Sequence, residues 1–539
     1  MLTLLYIRTR HLFRDHWLAH LRQGRGAAAV LQTGIPAGQA AARTRGLSID
    51  AQIALLLAGH FLLWAWVGWS SRSNFDAPGD MVEAYAWAQG WQWGYYKHPP
   101  LAAWAAGLWF AVVPESHLGY SLLSAFNTML GLAGLAVLAR EFLPRPWVLL
   151  VLAVASLAPG VTTLAMRFNC NAILVSTWPW ALALFVRLMQ HGRTRDALGC
   201  GLACALAMLG KYYSGVLLLA MLATALTLPA WRARLFTRPF ALAALTFTLC
   251  LAPHAAWLAA QTQGPLQYAH AATGQQGAGA SLMRALTFAL AQCVFPLLAF
   301  MALRLALSGP RGWPAFRSAV LAPLRPRVDA IWLLAMLPVL ATMAATVLTG
   351  ARTATVWGLA IAAGMALLAV QRAREAGATL SLARLWRTLL VVWACVALLS
   401  PAWWSARALL GTPAVAEPRE ELALAIDQAW RSEFGGALPW VGGTRALAAS
   451  VAFYAPAHPR TWSLWNQSVE TPWSDSGTVM SQGGVIVCEP ADEACAALAE
   501  TWSADRRHLS VAKSLRGFDF PARAYDVYWL APLNAGQLP

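Results

Sequence analysis

The chain has 539 residues, of which 58% are hydrophobic and only 12% are charged. A water-soluble domain carries about twice that charged fraction, so the composition excludes a soluble protein and indicates a membrane protein. The formal net charge of +16 is then explained by arginine-rich loops beside anionic headgroups. It predicts contact with membrane lipids and no nucleic-acid partner.

A basic arm, residues 1–48, precedes the first apolar segment. Its stretch IRTRHLFRDHWLAHLRQGRG is basic and amphipathic. It lacks the charged start followed by an apolar core that marks a signal peptide. Three interpretations remain open: a helix on the inner membrane surface, a disordered arm, or a start codon placed upstream of the true one.

Eleven apolar segments are predicted to cross the membrane, since a span needs about 20 apolar residues. They lie near residues 50–70, 117–139, 146–165, 169–189, 195–210, 212–229, 239–260, 285–307, 329–349, 353–371 and 385–404. The segment LAAWAAGLWFAVV, residues 101–113, is too short to span and predicts an interfacial or re-entrant helix.

The lysines and arginines orient these spans. When the loops are numbered alternately from the amino terminus, the odd-numbered loops hold 24 of the 40 lysines and arginines and the even-numbered loops only six. Cytoplasmic loops carry the excess of positive charge. The bias therefore predicts a cytoplasmic amino terminus, with the loop 71–116 and the tail after residue 404 outside.

The composition changes from about Pro401, where helical and strand-like patterns begin to alternate. EPREELALAIDQAWRSEF, TRALAASVAFYAP and ADEACAALAETW read as helices, and ALPWVGG, GGVIVCE and AYDVYWLAP read as strands. This alternation predicts a small α/β domain over residues 405–539, following a membrane domain over residues 49–404. Cys488 and Cys495 lie in this tail; a disulfide is one interpretation and two unpaired thiols the other.

The loop 71–116, called the opening loop below, contains GDMVEAYAWAQGWQWGYYKHPPLAAW. Asp80 and Glu83 are three residues apart and share one face of a helix. A partly desolvated carboxylate takes a proton from an attacking hydroxyl, and Lys97 or His98 neutralises a phosphate. An ordinary interfacial helix is the alternative; it explains the aromatic residues but not the clustered charges beside two prolines.

This stretch resembles the first extracytoplasmic loop of the C-type superfamily of membrane glycosyltransferases. More narrowly, it is similar to glycosyltransferase family 39, with its protein O-mannosyltransferase-like, lipopolysaccharide-core galacturonosyltransferase-like and lipid A aminoarabinose transferase-like enzymes. The resemblance implies transfer of a sugar from a polyprenyl phosphate in the bacterial inner membrane. The acceptor would be an extracytoplasmic glycan, lipid or protein. The carboxyl-terminal domain would be periplasmic.

The resemblance also implies roles for residues of the opening loop. Relatives read approximately DEAYYW, then GYYDHPP, so a gap-free comparison places the catalytic base on Asp80 and substrate contacts on Tyr85 and Tyr96. The acid that follows the aspartate in relatives is Met81 here, with Glu83 as the nearest substitute. A lysine beside the prolines contacts the donor phosphate in relatives, and either Lys97 or His98 would do so here.

Two further stretches resemble the family more weakly. MRFNCNAILVSTWPW offers Asn169 and Asn171 where relatives carry a second acid; substrate binding and simple helix capping are both open. AMLGKYYSGVLLL places Lys211 in an apolar region, where it would pair with phosphate or extend to the interface.

Three remaining features are weighed on residue chemistry. His254 is read as a packed, hydrogen-bonded residue, and Arg352 as either a phosphate ligand or an interfacial anchor. No His or Cys spacing forms a metal site. No cofactor is predicted, although Asp76 and Asp80 together offer a weak site for a divalent cation.

The predicted fold is an α-helical polytopic membrane protein of C-type glycosyltransferase architecture with a small extracytoplasmic α/β domain. The predicted activity is sugar transfer by inverting direct displacement. The first alternative is a transporter or flippase of a lipid-linked or small polar solute, which needs its charges near the bilayer midplane. The second is a scaffold protein without catalysis, in which Asp80 would be replaceable.

Overall fold

A computed structural model describes the chain from residue 47 to residue 533. Short gaps lie at 76–78, 262–263, 266, 269–270, 272–273, 275 and 295–296. The predicted basic arm lies outside the described residues except for its last two positions. Asp76, one half of the weak cation site, also lies outside them.

Helices joined by short loops form the membrane part. Their bounds are α1 Ile49–Ser70, α2 Asp80–Ala88, α3 Leu101–Phe110, α4 His117–Arg140, α5 Arg145–Ala155, α6 Leu174–His191, α7 Thr194–Gly210, α8 Ser214–Thr227, α9 Pro229–Arg234, α10 Arg238–Ala259, α11 Ala278–Val294, α12 Leu297–Ala306, α13 Gly312–Val320, α14 Ala330–Thr349, α15 Ile361–Glu375 and α16 Leu382–Leu409. Short 3₁₀ helices lie at Pro159–Val161, Ala322–Leu324 and Thr355–Ala360, and strands β1 Leu307–Ser308 and β2 Thr379–Leu380 pair antiparallel.

Each of the eleven predicted spans falls on a helical segment, and the chain is a polytopic α-helical membrane protein. Among the described residues, seven helices are long and apolar enough to cross a membrane by length and composition. The third predicted span is shorter than expected, because α5 ends at Ala155 and the chain turns at Pro159–Val161. The total number of spans stays a prediction.

Small residues let the central helices approach closely. A Cβ atom at Gly131 of α4 would lie 2.2 Å from the carbonyl oxygen of Val175 in α6, and one at Gly134 would lie 2.9 Å from the Trp180 ring. Apolar lipid gives helices no hydrophobic drive to associate, so close packing of this kind holds such a bundle together. These contacts fix the start of α6, which carries part of the site.

The tail is the predicted small α/β domain. It comprises α17 Pro413–Ala416, α18 Arg419–Phe434, β3 Trp440–Gly443, α19 Arg445–Tyr454, β4 Arg460–Thr461, α20 Gln467–Glu470, α21 Ser476–Gln482, β5 Gly484–Cys488, α22 Glu493–Glu500, β6 Arg506–Leu515 and β7 Phe518–Leu530. The sheet order is β4-β3-β5-β7-β6; the first three strands are parallel, and β7 is antiparallel to both neighbours. A disulfide joins Cys488 to Cys495.

Helix α19 packs the tail onto the opening loop through aromatic contacts. Phe453 is fully buried, and its ring centroid lies 5.0 Å from the rings of both Phe75 and Tyr85. Gln89, just after α2, uses both ends of its amide: it donates to the Pro459 carbonyl and accepts from Thr461 N–H, each at 3.1 Å. The opening loop and the tail therefore form one packed surface.

The hairpin of β6 and β7 binds the end of α1. Arg516, at the hairpin turn, donates to the carbonyl oxygens of Ser70 at 2.8 Å and Trp69 at 3.4 Å. Its guanidinium also lies over the rings of Trp69 and Trp404. The last carbonyls of a helix have no partner within the helix, so this arginine satisfies groups that would otherwise need water.

Candidate functional site

Helix α2 begins at Asp80, directly after Gly79, whose backbone conformation and close packing require a glycine. Gly79 has φ +82°, and a Cβ atom there would lie 2.9 Å from the Cβ of Ala446 in the tail. The tail backbone therefore comes close to the residue that precedes Asp80. The geometry places Asp80 at the junction of the opening loop and the tail.

Glu83 lies one turn further along α2 and forms an ion pair with Lys97. Their atoms Oε1 and Nζ are 2.7 Å apart, and the Tyr96 hydroxyl donates to the same oxygen at 3.4 Å. Burial raises the pKa of Glu83, and the Lys97 charge opposes that effect. Burial also disfavours the Lys97 charge, but Glu83 and Tyr96 outweigh it and raise the pKa of Lys97.

A compact turn holds Lys97 in place. Tyr95 and His98 exchange backbone hydrogen bonds of 3.0 and 3.2 Å. The Tyr95 ring stacks on Trp87 of α2 at 4.9 Å, and its hydroxyl donates to the Trp87 carbonyl. The aromatic residues that the sequence attributes to an interfacial helix thus also fix the turn that presents Lys97.

Lys211 lies between α7 and α8 with only 9% of its surface exposed. Its ammonium donates to Asn171 Oδ1 and lies 4.8 Å from the centre of the Trp357 ring. Asp80 also acts on it electrostatically. Lys211 therefore differs from Lys97, whose ammonium forms a direct ion pair with Glu83.

The two asparagines before α6 have different positions. Asn169 accepts hydrogen bonds from the backbone N–H groups of Asn171 and Ala172, at 2.8 and 3.1 Å, so it caps the start of this segment. Asn171 instead turns its side-chain oxygen to Lys211. The structure brings Asn171, and not the Asn169 side chain, to the lysine.

These groups form one charged cluster, defined here as Asp80, Glu83, Lys97 and Lys211. Asp80 lies within electrostatic range of both Glu83 and Lys211. His98 is close to both lysines, and its ring lies edge-on to those of Trp87 and Tyr268. Burial, with further contributions from Lys211 and Lys97, lowers the pKa of His98 to about 3. The imidazole is therefore neutral at physiological pH.

His254 connects α10 to the opening loop. Its Nδ1 lies 2.6 Å from the Trp93 carbonyl oxygen, and its Nε2 lies 3.0 Å from the Tyr212 hydroxyl. A carbonyl only accepts, so Nδ1 carries the proton and Nε2 accepts from the tyrosine. Both ring nitrogens are occupied, as the sequence interpretation of a packed histidine expects.

Two predicted site residues do not join the cluster. The Tyr85 hydroxyl donates to Glu115 of the opening loop at 3.5 Å and lies 3.4 Å from Nδ1 of His458 in the tail. Tyr85 lies two residues from Glu83 in a helix, so it faces a different direction. Arg352 is exposed, and no hydrogen bond or ion pair joins it to another described residue.

The tail contributes residues that the sequence interpretation missed. An open pocket of about 310 Å³ adjoins the charged cluster, and it is lined by Gly79, Glu83, Lys97, Thr444, Arg445, Ala446, Trp465 and Asp492. Arg445 donates to both carboxylate oxygens of Glu470. Nothing in the spacing of these residues marks them, because their proximity to the opening loop arises only from the docking of α19.

An apolar cavity of about 120 Å³ lies within the helices. Thr355, Gly358 and Leu359, which are neighbours of Trp357 in the sequence, contribute to its lining. The described part of the chain contains no group of three or more His, Cys, Asp or Glu residues that could hold a metal ion.

One family model matches part of the chain. The family model described as dolichyl-phosphate-mannose-protein mannosyltransferase matches residues 97–257, which include Lys97 and Lys211 but not Asp80. A search of curated proteins finds no match.

The chain is similar to the solved structure of ArnT from Cupriavidus metallidurans in the apo state, at 16% identity with a TM-score of 0.55. That match covers 88% of this chain and 98% of ArnT. The same protein bound to undecaprenyl phosphate gives 15% identity and a TM-score of 0.56, over 89% and 98%. The predicted resemblance to C-type membrane glycosyltransferases is confirmed, and the chain has their fold.

Proposed function

We propose that this protein transfers a sugar from a polyprenyl phosphate to an acceptor outside the bacterial inner membrane. One observation carries the proposal: Asp80, the Glu83–Lys97 pair and Lys211 form one charged cluster, and an open pocket adjoins it. A lipid-linked donor presents a charged phosphate next to a polar sugar. Cations, a carboxylate and an open polar pocket at one place suit that combination.

Lys211 is the residue best suited to the donor phosphate. Its ammonium contacts an amide oxygen and an aromatic ring, and Asp80 acts on it only at longer range, so its positive charge is only partly compensated. A phosphate would supply the missing negative charge in a poorly hydrated place, where charge-assisted hydrogen bonds are strong. ArnT, whose fold this chain shares, has been solved with undecaprenyl phosphate bound. That finding supports a prenyl phosphate as the donor's leaving group.

Between the two candidates beside the prolines, Lys97 is the second cation. His98 is neutral because its pKa is lowered to about 3. Lys97 is charged and is held by Glu83 at 2.7 Å. In this proposal Glu83 orients Lys97, and Lys97 adds positive charge beside the phosphate.

Asp80 acts as the base. The acceptor hydroxyl loses its proton to the Asp80 carboxylate as its oxygen forms a bond to the anomeric carbon. The bond from that carbon to the phosphate oxygen breaks, and polyprenyl phosphate leaves with the electron pair. One displacement inverts the anomeric centre. Because the leaving group is already a stable anion, no general acid is required, unlike the paired acids of glycosidases.

The proposal includes the orientation predicted from the lysines and arginines. The charged cluster and the tail would face the periplasm and the amino terminus the cytoplasm. The disulfide between Cys488 and Cys495 supports this orientation, because disulfides persist in the periplasm and are rare in the cytoplasm.

The test is envelope mass spectrometry on a strain that lacks this gene. The strain is complemented with wild-type protein, Asp80→Asn or Asp50→Asn, at membrane levels matched by immunoblot. Asp50 is the matched control, an acid of α1 paired with Arg140. One glycan mass should vanish in the deletion and return with wild type and Asp50→Asn. It should stay reduced about 10²- to 10⁴-fold with Asp80→Asn, the usual contribution of a general base.

Two outcomes would oppose the proposal. Full restoration by Asp80→Asn would remove the base assignment and favour the transporter or scaffold alternatives. If the deletion strain keeps every glycan mass, the proposed activity itself is contradicted.

A further inference from the structure

The open pocket beside the charged cluster is lined by carboxylates, paired cations and a tryptophan, unlike the surroundings of Lys211. It lies between α2 and the tail, and Gly79, the residue before Asp80, is part of its wall. A group bound there would lie next to the proposed base. We propose that this pocket, if the proposed function holds, is the acceptor subsite and that it binds a neutral sugar unit rather than a phosphate-bearing group.

The first argument is charge. Both cations of the pocket already face carboxylates: Lys97 pairs with Glu83 at 2.7 Å, and Arg445 pairs with Glu470, with Nε 2.9 Å from Oε2. Asp492 adds a further carboxylate to the wall. A phosphate in this pocket would meet at least as much negative as positive charge. Phosphate binds best to the least compensated cation, which in the cluster is Lys211; Lys97, already paired with Glu83, adds only a secondary charge beside it.

The second argument is hydrogen bonding. The Asp492 carboxylate accepts from the Thr444 hydroxyl at 2.9 Å and from the Cys495 backbone N–H at 3.0 Å. The Glu470 carboxylate accepts from the Ser463 hydroxyl at 2.7 Å as well as from Arg445. These groups are fixed before any ligand arrives. Sugar hydroxyls can donate to carboxylates and accept from guanidinium groups, so a polyol matches this wall.

The third argument is the aromatic surface. Trp465 lines the pocket and remains 37% exposed, and the Arg445 guanidinium lies 5.0 Å from its ring centre. The face of an indole ring is electron-rich and attracts the weakly positive C–H groups on one side of a pyranose. An aromatic face beside hydrogen-bonding groups on a rigid wall therefore fits a sugar ring.

The preferred site for the phosphate and the preferred site for the sugar unit are thus separate. Trp465 and Arg445 belong to the tail, whereas Lys211 belongs to the membrane part. Changing the tail wall should affect the acceptor and leave binding of the prenyl phosphate unchanged.

The experiment uses the full chain in nanodiscs and saturation-transfer NMR with two probe sets. The first set is the methyl glycosides of glucose, galactose, mannose and N-acetylglucosamine; the second is the corresponding hexose phosphates. At least one neutral glycoside should give a signal, and Trp465→Ala should reduce it about tenfold, as loss of one stacking surface would. Trp465→Phe should retain most of it.

Trp313→Ala is the matched control. Trp313 is also an exposed tryptophan with an arginine over its ring, Arg304 at 5.6 Å, but it lies in α13. This variant should keep the full glycoside signal. In the complemented strain, Trp465→Ala should lower the glycan mass about tenfold, the same loss as in binding, and Trp313→Ala should restore it fully.

Binding of undecaprenyl phosphate to the same samples separates the two proposals. Trp465→Ala should leave this binding unchanged. The acceptor inference is overturned if no neutral glycoside binds, if binding survives Trp465→Ala, or if hexose phosphates bind more tightly through Arg445. If those results occur while undecaprenyl phosphate still binds and the glycan still depends on Asp80, only the acceptor inference fails. If undecaprenyl phosphate does not bind at all, the proposed function fails.

Discussion

Lys97 and Lys211 carry the same charge in two different environments. Lys97 forms an ion pair with Glu83 at 2.7 Å, which largely compensates its positive charge. Lys211 is buried beside an amide and an indole ring, an arrangement that costs free energy unless an anion arrives. A buried cation of this kind is characteristic of a binding site rather than of a stabilising contact.

Replacement of Lys211 should therefore weaken binding of the donor's phosphate. Lys211→Met keeps the length of the side chain and removes the charge. Affinity for undecaprenyl phosphate should fall about 10- to 100-fold, the value of one charge-assisted hydrogen bond. Intrinsic fluorescence titration of the protein in nanodiscs measures it. Arg352→Met, which removes an exposed cation, is the control, and equal losses in the two variants would contradict the assignment.

His98 gives a prediction about pH. Its pKa is lowered from 6.5 to about 3 in the folded protein, so the folded state disfavours the protonated ring. Above pH 6.5 the ring is neutral in both the folded and the unfolded state, and the folded protein keeps its full stability. As pH falls from 6.5 toward about 3, the unfolded state gains a proton that the folded state does not, and the folded protein loses stability. The expected slope is about 1.4 kcal/mol per pH unit. His98→Gln lacks a titrating group and should show a shallower decrease.

The measurement is the thermal midpoint of both proteins at a series of pH values. The difference between their midpoints should change as pH falls through this window. Activity should follow the same pH profile in both proteins near neutrality, because the ring stays neutral there. If the activity of the wild type changes near pH 6.5 and that change is absent in His98→Gln, then His98 titrates in the folded site and the prediction is wrong.

At the scale of elements, α19 decides whether the tail and the membrane part form one site. Phe453 lies among rings from the opening loop and α4, including Phe75 and Tyr120 at 5.0 and 5.8 Å. The same helix carries Arg445 and the Ala446 that contacts Gly79. The open pocket therefore depends on the packing of one helix face.

Phe453→Ala should separate the tail from the opening loop. Removing a fully buried phenylalanine costs about 3–5 kcal/mol, and the loss falls on the docking surface. The variant should release the tail domain under limited proteolysis and lose glycan product, while keeping affinity for undecaprenyl phosphate. Phe434→Ala is the control, because Phe434 packs on Trp430 inside the tail. Tail release in both variants would show general instability instead.

The elements also show where sequence interpretation fails. Three of the tail helices, α18, α19 and α22, and three of its strands were predictable from their apolar patterns, whereas the short α17, α20, α21 and β4 were not. Strand β6, RRHLSVAKSL, was missed because it opens with three consecutive polar residues, Arg506, Arg507 and His508, instead of an apolar alternation. Those charges are paired across the sheet: Arg506 and His508 both contact Asp526, at 2.8 and 2.5 Å. Such pairs exist only after β7 lies alongside, so the local sequence does not reveal them.

The same contrast applies to the site. The site residues of the opening loop were predictable from the unusual composition of one stretch. The structure brings Asp80, Glu83, Lys97 and Tyr96 together. Asn171 and Lys211 followed from weaker stretches, and they meet. Arg445 and Trp465 could not be predicted, because docking of the tail brings them to residues at least 348 positions earlier in the chain. Tyr85 resembles a family position but faces the tail interface.

At the scale of the whole molecule, the proposed orientation can be tested directly. Alkaline phosphatase, which folds only outside the cytoplasm, is fused after residue 533, or after residue 377 between α15 and α16. The first fusion should be active and the second inactive, because arginines predict that the second loop is cytoplasmic. Fluorescent-protein fusions at the same points serve as the reciprocal control. The reverse pattern would invert the whole topology and contradict a periplasmic reaction.

The contact between Arg516 and the end of α1 has a consequence for biosynthesis. Arg516 and the Ser70 carbonyl are 446 positions apart, and the later membrane helices are synthesised between them. Until the hairpin has been made and folded, the last carbonyls of α1 lack this partner. Under the proposed function, a partly made chain would have Lys211 for the lipid phosphate but no wall for the acceptor sugar. Maturation itself would then keep an unfinished chain from consuming the lipid-linked sugar.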